Sequence, residues 1–123
     1  MILPVPLHIK RFRMRGFNQA CLLVGNWNIL AGQYPHRPAQ LRIERNLLVR
    51  AAATLPQSAL GRAERAVNIK NAFDLNNPHQ VKDKRILLID DVYTTGATVN
   101  ECTRLLLNGG ARQVDVLTLA RAV

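Results

Sequence analysis

The hydrophobic pattern of the first third of the chain predicts a strand, a loop and a helix. Apolar residues begin at Ile2, and the prolines that follow place the end of the strand at about Val5, because proline is disfavoured inside a sheet. Residues 6–16 are predicted to be a loop. Asn18 suits the N-cap of a helix that Gly32 would end. Its buried face would carry residues at helical spacing: Cys21, Val24, Asn28 and Ala31.

The middle of the chain gives weaker signals. Residues 34–38 resemble a turn, and residues 41–49 form a second, weaker strand candidate. Residues 50–71 contain Pro56 and Gly61 and leave two alternatives open, a loop or a short helix on a hairpin. Residues 76–78, Asn-Asn-Pro, are a further turn signal.

The last third of the chain predicts a strand, a helix and a strand. The unbroken apolar run in residues 85–89 is typical of a strand buried on both faces. Helical spacing follows at Val99, Cys102, Leu105 and Leu106, and Asn108-Gly109-Gly110 ends it. Residues 113–120 predict the next strand. Such a unit implies parallel pairing with a right-handed crossover, and therefore an α/β fold with a mostly parallel sheet flanked by helices.

Size and charge narrow the class of protein. The chain of 123 residues predicts a single domain, residues 1–123. With 48% hydrophobic and 20% charged residues, its composition is that of a globular protein and excludes wholesale disorder. The net charge of +9 favours anionic partners, either phosphorylated ligands or nucleic acid.

The cysteines and the apolar runs indicate a cytoplasmic location. Cys21 and Cys102 match neither a disulfide framework nor a zinc pair, so we expect reduced thiols and no zinc. The three histidines are scattered, which argues against a histidine metal site. The apolar runs are too short to span a membrane, and the N-terminus does not resemble a signal peptide.

A candidate ligand site follows the buried strand. Asp90 and Asp91 come at its carboxyl end, where open parallel sheets bind ligands. Residues 94–98 bring hydroxyls and a glycine to the start of a helix, whose amides and dipole favour a phosphate. The two carboxylates would then face vicinal hydroxyls or a hydrated Mg²⁺, so a sugar phosphate suits both halves. The alternative is that the acidic pair and the threonines only cap the helix.

Residues 86–98 resemble the 5-phosphoribosyl-1-pyrophosphate signature of type I phosphoribosyltransferases: an apolar run, two acidic residues, then Thr-Thr-Gly-x-Thr. The resemblance implies their Rossmann-like fold. It also implies that Asp90 and Asp91 hold the ribose 2′ and 3′ hydroxyls at the catalytic centre, with Mg²⁺ nearby. The 5′-phosphate would be wrapped by Thr94, Thr95, Gly96, Ala97 and Thr98.

Most of the remaining chain resembles the phosphoribosyltransferase domain of the ComF/GntX family. The resemblance is carried by Pro4-Val5-Pro6-Leu7-His8, Arg15-Gly16-Phe17-Asn18-Gln19, Thr54, Gln57, Leu60, Arg62, Arg65, Asn68 and Ala72-Phe73. It implies that residues 6–16 are similar to a pyrophosphate-binding loop, with His8, Lys10 and Arg15 as candidate contacts. Residues 54–68 are similar to the flexible hood loop, from which Arg62 and Arg65 would close over pyrophosphate. The family's N-terminal zinc ribbon has no counterpart here, so we expect ligand binding to survive better than turnover.

Two functions remain open. One is a phosphoribosyltransferase that binds phosphoribosyl pyrophosphate or ribose 5-phosphate with Mg²⁺, linked by the resemblance to DNA uptake in natural competence. Its acceptor is unknown, although Thr94 stands where purine-salvage relatives carry an aspartate, which disfavours a purine. The other is a non-catalytic module that binds single-stranded DNA through its basic surface, or a regulator whose occupancy changes a protein interface. An oligomer is possible in either case.

Several side chains have a simpler structural interpretation. Four basic residues either bind a ligand or nucleic acid or belong to a solvated loop: Lys10, Arg11, Arg13 and Arg15. Arg62 and Arg65 either close over pyrophosphate or flank Glu64 on a wet surface. We expect Phe17, Trp27 and Cys102 to pack in the core.

Overall fold

The computed structural model describes residues 1–7, 9–36, 41–51, 63 and 69–122, with the first three residues of the first helix described by their backbone alone. The elements in chain order are β1 (Ile2–Pro4), α1 (Ile9–Arg15), α2 (Gln19–Leu23), α3 (Trp27–Ala31), β2 (Leu48–Arg50), β3 (Phe73–Leu75), a 3-10 helix (Pro78–Gln80), β4 (Arg85–Tyr93), α4 (Ala97–Asn108) and β5 (Gln113–Arg121).

A three-stranded parallel sheet in the order β1-β4-β5 organises the molecule. Ile2 lies opposite Leu87 on one side of β4, and Arg85 lies opposite Gln113 on the other. The β4-α4-β5 unit has the parallel pairing expected from the sequence. The α/β architecture with a mostly parallel sheet flanked by helices is confirmed.

The central strand β4 is buried on both faces, as its apolar run predicts. Ile86 and Leu88 join a cluster with β1, the β2-β3 pair and α4, whereas Ile89 packs with Ile2 and Val24 in a second cluster. Side chains alternate between the two faces of a strand, so consecutive residues of β4 pack against different layers. This double burial fixes where the carboxyl end of β4 lies.

The predicted second strand over residues 41–49 was only partly right. Leu48–Arg50 forms β2, which pairs with β3 in a separate antiparallel sheet. Ile43 makes a single parallel bridge to Ile2. Arg42 and Glu44, on either side of Ile43, form an ion pair of 2.7 Å whose side chains stay in contact with water, as charged groups prefer.

Two predictions about the first third of the chain were wrong. Residues 6–16 are not all loop, because α1 forms over Ile9–Arg15, a run without glycine or proline that contains good helix formers. Gly16, with φ of 76°, ends it and donates its N–H to the Phe12 carbonyl. The single helix expected from Asn18 to Gly32 is divided into α2 and α3, which leave Gly25, a poor helix former, outside both helices.

Other local predictions hold. Asn18 is the N-cap of α2, and Gly32 is the C-cap of α3. The turn at residues 76–78 leads into the 3-10 helix, with Asn77 in the left-handed region at φ of 55°. Of the segment 50–71, whose structure the sequence leaves open, most lies outside the described residues.

The two cysteines are free thiols. Cys102 packs in the core as expected, and burial raises its pKa above the ordinary thiol value. Burial also raises the pKa of Cys21. Among the described residues, no helix has the length and apolar character needed to cross a membrane.

Truncating the core beneath β4 should destabilise the fold. Leu88 is fully buried, so Leu88→Ala should lower the free energy of unfolding by about 2–5 kcal/mol, measured by urea denaturation. Ile29→Ala is the matched control, because Ile29 is 68% exposed and its truncation should change stability by less than about 0.5 kcal/mol. Equal losses in the two variants would contradict the assignment of β4 as the centre of the core.

Candidate functional site

The acidic pair lies inside β4, not after it. The strand continues to Tyr93, four residues beyond the predicted end at Ile89, and Asp90 pairs with Thr118 of β5. Asp90 Oδ1 accepts the Asp91 N–H at 2.9 Å, and Asp91 Oδ1 accepts the Val92 N–H at 2.9 Å. These bonds run along the strand, so the described contacts do not make the carboxylates caps of α4.

The turn after β4 requires glycine. Gly96 is the N-cap of α4 with φ of 81°, a conformation that side chains disfavour. A Cβ there would also approach the Tyr93 ring carbon Cζ to 2.8 Å and its hydroxyl more closely still. Thr95 Oγ1 accepts the Ala97 N–H at 3.3 Å, so one of the threonines does serve the first turn of the helix.

A cleft of about 130 Å³ lies at the carboxyl end of β4. Its described lining comes from the segment after β1 and from α1, α2 with its N-cap, β2, β4 and α4: Val5, Pro6, Leu7, Arg15, Asn18, Gln19, Ala20, Arg50, Asp90, Asp91 and Thr98. The cleft therefore joins Arg15, the two carboxylates and Thr98, which were selected from separate parts of the sequence. Residues 94–97, which are the turn after β4 and the first residue of α4, are not among the described lining residues.

Burial controls the charge of Asp90. Removal from water raises the pKa of Asp90 from 3.8 to about 7, the nearby Asp91 carboxylate adds to the shift, and the hydrogen bond from the Asp91 N–H and the charge of Arg50 oppose it. Near neutral pH the pair thus carries fewer than two negative charges. A less negative pair repels a bound phosphate less.

Asn18 connects the cleft to the sheet. Its Nδ2 donates to the Val5 carbonyl at 3.0 Å, and its Oδ1 accepts from the Ala20 N–H at 2.9 Å. One side chain thereby caps α2 and holds the helix at the end of β1. This contact helps to place Arg15 and Gln19 at the cleft.

Arg50 is a cleft residue that sequence reasoning missed. It ends β2, lies with its guanidinium carbon 5.3 Å from the centre of the Phe73 ring, and lowers the pKa of Asp90 through its charge. No local motif surrounds it. Only the pairing of β2 with β3 and their packing on α4 bring it to Asp90.

Several predicted contacts fall outside the described residues. His8, Arg62 and Arg65 are among these, and so is the predicted hood loop, residues 54–68, apart from Ala63. Lys10 lies in α1, but its side chain is not described. Their proposed roles remain predictions.

A second, larger cavity of about 700 Å³ shares a wall with the cleft. Pro6, Leu7, Asn18 and Arg50 line both spaces. The remaining lining of the larger cavity is mainly apolar and includes Phe12, Phe17, Leu22, Leu48 and Val49. Phe17 is 45% exposed, so its predicted place in the core was wrong, whereas Trp27 does pack against the second core cluster.

Residues 44–122 match the family model described as the phosphoribosyl transferase domain. Competence protein F of Haemophilus influenzae is 38% identical over 122 residues, which cover 98% of this chain and 50% of that protein. DNA utilization protein YhgH of Escherichia coli K12 is 38% identical over 99% of this chain and 49% of its own length. Competence protein ComFC of Bacillus subtilis is 35% identical over 99% of this chain and 45% of its own. The chain spans about half the length of the curated relatives it matches.

The stability of the ligand-free protein should depend on the ionisation of Asp90. The pKa of Asp90 is about 7 in the folded protein and has its ordinary value of 3.8 in the unfolded chain. As the pH rises, the unfolded chain therefore loses this proton first, and the stability of the fold falls between about pH 4 and about pH 7. Asp90→Asn removes this loss. Between pH 4 and pH 7, the free energy of unfolding of the variant should rise relative to that of the wild type by about 2 kcal/mol, after allowance for solvent screening. Urea denaturation at a series of pH values, without metal ions, measures this difference. Parallel curves for the two proteins would contradict the burial of this carboxyl.

Proposed function

The chain belongs to the phosphoribosyl transferase domain family, in its ComF/GntX branch, and we propose that its cleft binds 5-phosphoribosyl-1-pyrophosphate or ribose 5-phosphate together with Mg²⁺. One observation carries the proposal. The cleft is lined by the carboxylates of Asp90 and Asp91, by Thr98 in the first turn of α4, and by two cations, Arg15 and Arg50. Such a set offers partners for hydroxyls and for phosphates within one small space.

The ribose would lie against the carboxylates. Asp90 and Asp91 accept hydrogen bonds from the 2′ and 3′ hydroxyls, because a carboxylate is a stronger acceptor than a neutral group. The raised pKa of Asp90, about 7, supports a pair in which Asp90 exchanges a proton near neutral pH. The vicinal hydroxyls of a pentose match two adjacent carboxylates.

The 5′-phosphate would lie in the turn over residues 94–98. The glycine at position 96 lets the backbone approach an anion, and the first turn of the 12-residue helix α4 presents its amides there. Thr98 supplies a hydroxyl from inside the cleft. Thr94 is exposed, and its hydroxyl would complete the set proposed for the phosphate: Thr94, Thr95, Gly96, Ala97 and Thr98.

The pyrophosphate would meet the basic side of the cleft. Arg15 and Arg50 line it, and both can form paired hydrogen bonds with phosphate oxygens. We also propose His8, Lys10, Arg62 and Arg65 as contacts, on the family resemblance. The charge of +9 favours the approach of such an anion.

The carboxylates of Asp90 and Asp91 provide only part of the oxygen ligands that Mg²⁺ requires, so the ion would be bound together with the ligand. Among the described residues no group of three or more histidine, cysteine or acidic side chains is placed to hold a metal. Asp90 and Asp91 would hold Mg²⁺ together with ligand oxygens and water, which is how this ion is often bound beside phosphates. When bound, it would neutralise the negative charge of the pyrophosphate.

If the protein catalyses transfer, its own residues act mainly by position and charge. The carboxylates hold the ribose, the cations stabilise the departing pyrophosphate, and the larger cavity beside the cleft has room for an acceptor. The apolar lining of that cavity favours an acceptor with a large apolar or aromatic surface. Pyrophosphate release with a panel of nitrogen bases distinguishes an enzyme from a binding module.

We assign the protein to the cytoplasm and its role to DNA uptake. The two free thiols support a reducing compartment. Relatives named for competence and for DNA utilization support this role. The binding of a phosphoribosyl ligand would then either be a step of DNA uptake or regulate it.

A second candidate function is the binding of single-stranded DNA. Helix α1 carries Arg13 and Arg15, and the aromatic rings of Phe12 and Phe17 are 44% and 45% exposed beside them. Exposed rings stack on bases while cations neutralise phosphates, and this combination is typical of surfaces that bind single strands without sequence preference. This surface lies next to the cleft, so one protein can use both.

Calorimetry tests the ligand site. The wild type should bind ribose 5-phosphate and, with Mg²⁺, phosphoribosyl pyrophosphate. Asp91→Asn should weaken both by roughly tenfold or more, because a charge-assisted hydrogen bond to a ribose hydroxyl is lost. Asp83→Asn is the matched control, since Asp83 is an exposed carboxylate in a turn outside the cleft, and it should bind as the wild type does. Unchanged binding by Asp91→Asn would contradict the proposed contact with the ribose. Absence of binding by the wild type would contradict the proposed ligand site as a whole.

Titration with oligo(dT) tests the second candidate. Affinity should fall steeply with salt, with a slope near −0.7 for each phosphate neutralised. Phe12→Ala should weaken binding by roughly fivefold or more through lost stacking. Met14→Ala is the control, because Met14 is an exposed non-aromatic residue of the same helix and its loss should leave binding unchanged. A flat salt response would exclude this function.

A further inference from the structure

Strand β5 has an open edge. It is the last strand of the β1-β4-β5 sheet, and no other described strand pairs with its outer side. It is nine residues long and contains neither proline nor lysine, the residues with which proteins often prevent pairing at an edge. A long edge of this kind favours the addition of another strand.

The backbone shows which residues of β5 would bond to such a strand. The N–H groups of Arg112 and Ala122 donate to the Lys84 and Tyr93 carbonyls, on the β4 side. Because successive N–H groups of a strand point to opposite edges, the even-numbered residues face β4. The odd-numbered residues, from Asp115 to Arg121, therefore direct their N–H and carbonyl groups to the open edge.

Apolar side chains make this edge unfavourable in water. Leu117 is 47% exposed and Leu119 is 74% exposed, and both belong to the odd-numbered set. In the described part of the chain nothing covers them. Burial of this apolar surface would stabilise a pair of strands.

The charges on β5 select the partner and the register. If a second β5 pairs antiparallel about a two-fold axis at Thr118, residues equally distant from Thr118 lie opposite each other. Asp115 then faces Arg121 of the partner subunit, and the reciprocal pair forms on the other side of the axis. Leu117 faces Leu119 of the partner subunit, again twice. Other antiparallel registers leave Asp115 without an opposite charge.

We propose that the protein forms a two-fold dimer through antiparallel pairing of β5 with β5, which joins the two three-stranded sheets into one of six strands. The opposed pairs 115/121 and 117/119 are odd-numbered, so their backbone groups reach across the edge. Thr118 faces Thr118 of the partner subunit in the closely spaced, non-hydrogen-bonded position, where threonine pairs are favourable. The surface is self-complementary, as an interface with two-fold symmetry requires.

The side chains of Asp115 and Arg121 are both available for ion pairs across the proposed interface. Asp115 accepts hydrogen bonds from the neutral Gln113 amide at 3.0 and 2.8 Å, and the Arg121 guanidinium lies 5.8 Å from the centre of the Tyr93 ring. Within the described residues neither forms an ion pair. Each therefore keeps its charge for an opposite charge across the edge.

A charge-reversal cycle tests the register. Sedimentation velocity over a range of concentrations should show a monomer–dimer equilibrium for the wild-type chain. Asp115→Arg and Arg121→Asp should each raise the dimer dissociation constant by roughly tenfold, because each places two like-charged pairs in opposition. The double variant Asp115→Arg/Arg121→Asp restores opposite charges and should recover most of the wild-type affinity.

Arg112→Asp is the matched control, because it makes the same change in charge as Arg121→Asp one residue outside β5, and it should dimerise as the wild type does. Circular dichroism confirms that each variant is folded. A wild type that is monomeric at all concentrations would overturn the proposal. So would single variants that dimerise normally, or a double variant that remains as weak as the singles.

Discussion

The burial of β4 on both faces is the constraint on which the structure and its candidate site depend. Ile86 and Leu88 pack toward α4, and Ile89 packs toward α2 and α3, so the strand cannot shift by one residue without exposing each set to the wrong layer. The register of Asp90 and Asp91 follows from that packing. Two carboxylates that are costly to bury are thereby held at one point of the molecule.

The strand-turn-helix segment could be predicted from sequence because its signals are local. The apolar run of β4, the glycine before α4 and the spacing of Val99 and Cys102 each depend on neighbouring residues, and α4 has the bounds that these signals indicate. The acidic pair was identified as part of the same motif. The exact end of β4 was not predicted, since Asp90 and Asp91 are poor strand formers. They remain in the strand because Asp90 and Val92 pair with Thr118 and Ala120 of β5.

Features that depend on distant contacts could not be read from local patterns. Arg50 reaches Asp90 only because β2 pairs with β3, about twenty residues along the chain, and that pair packs on α4. Phe17 has the composition of a core residue, yet it lies at the rim of a cavity because α1 and α2 meet there. Helix α1 was not predicted, because the prolines before it indicated a loop, and the helix begins only three residues after Pro6.

The proposed ligand would place an anion beside the carboxylates of the cleft, and the electrostatics of the cleft would reduce their repulsion. Burial raises the pKa of Asp90 to about 7, so the acidic pair is not held at full charge near neutral pH. Arg50 and Arg15 line the same cleft from β2 and α1 and supply the compensating cations. Deeper burial of Asp90 would favour its neutral form and weaken its hydrogen bonds to hydroxyls, whereas greater exposure would restore its repulsion of phosphate. A half-buried position is a balance between these two effects.

The candidate site and the open edge of the sheet share a side chain. The Tyr93 ring fills the space beside Gly96 that a side chain at that position would need, and the same ring lies against the Arg121 guanidinium at the end of β5. The turn proposed to bind phosphate is thus bounded by a ring whose other contact is the cation proposed to face the partner subunit. Because the Tyr93 backbone carbonyl also accepts the Ala122 N–H, the end of β5 is fixed to the end of β4 by main chain and side chain together. The geometry of the turn and the geometry of the edge therefore both depend on the packing of Tyr93, which links the proposed phosphate site to the proposed interface.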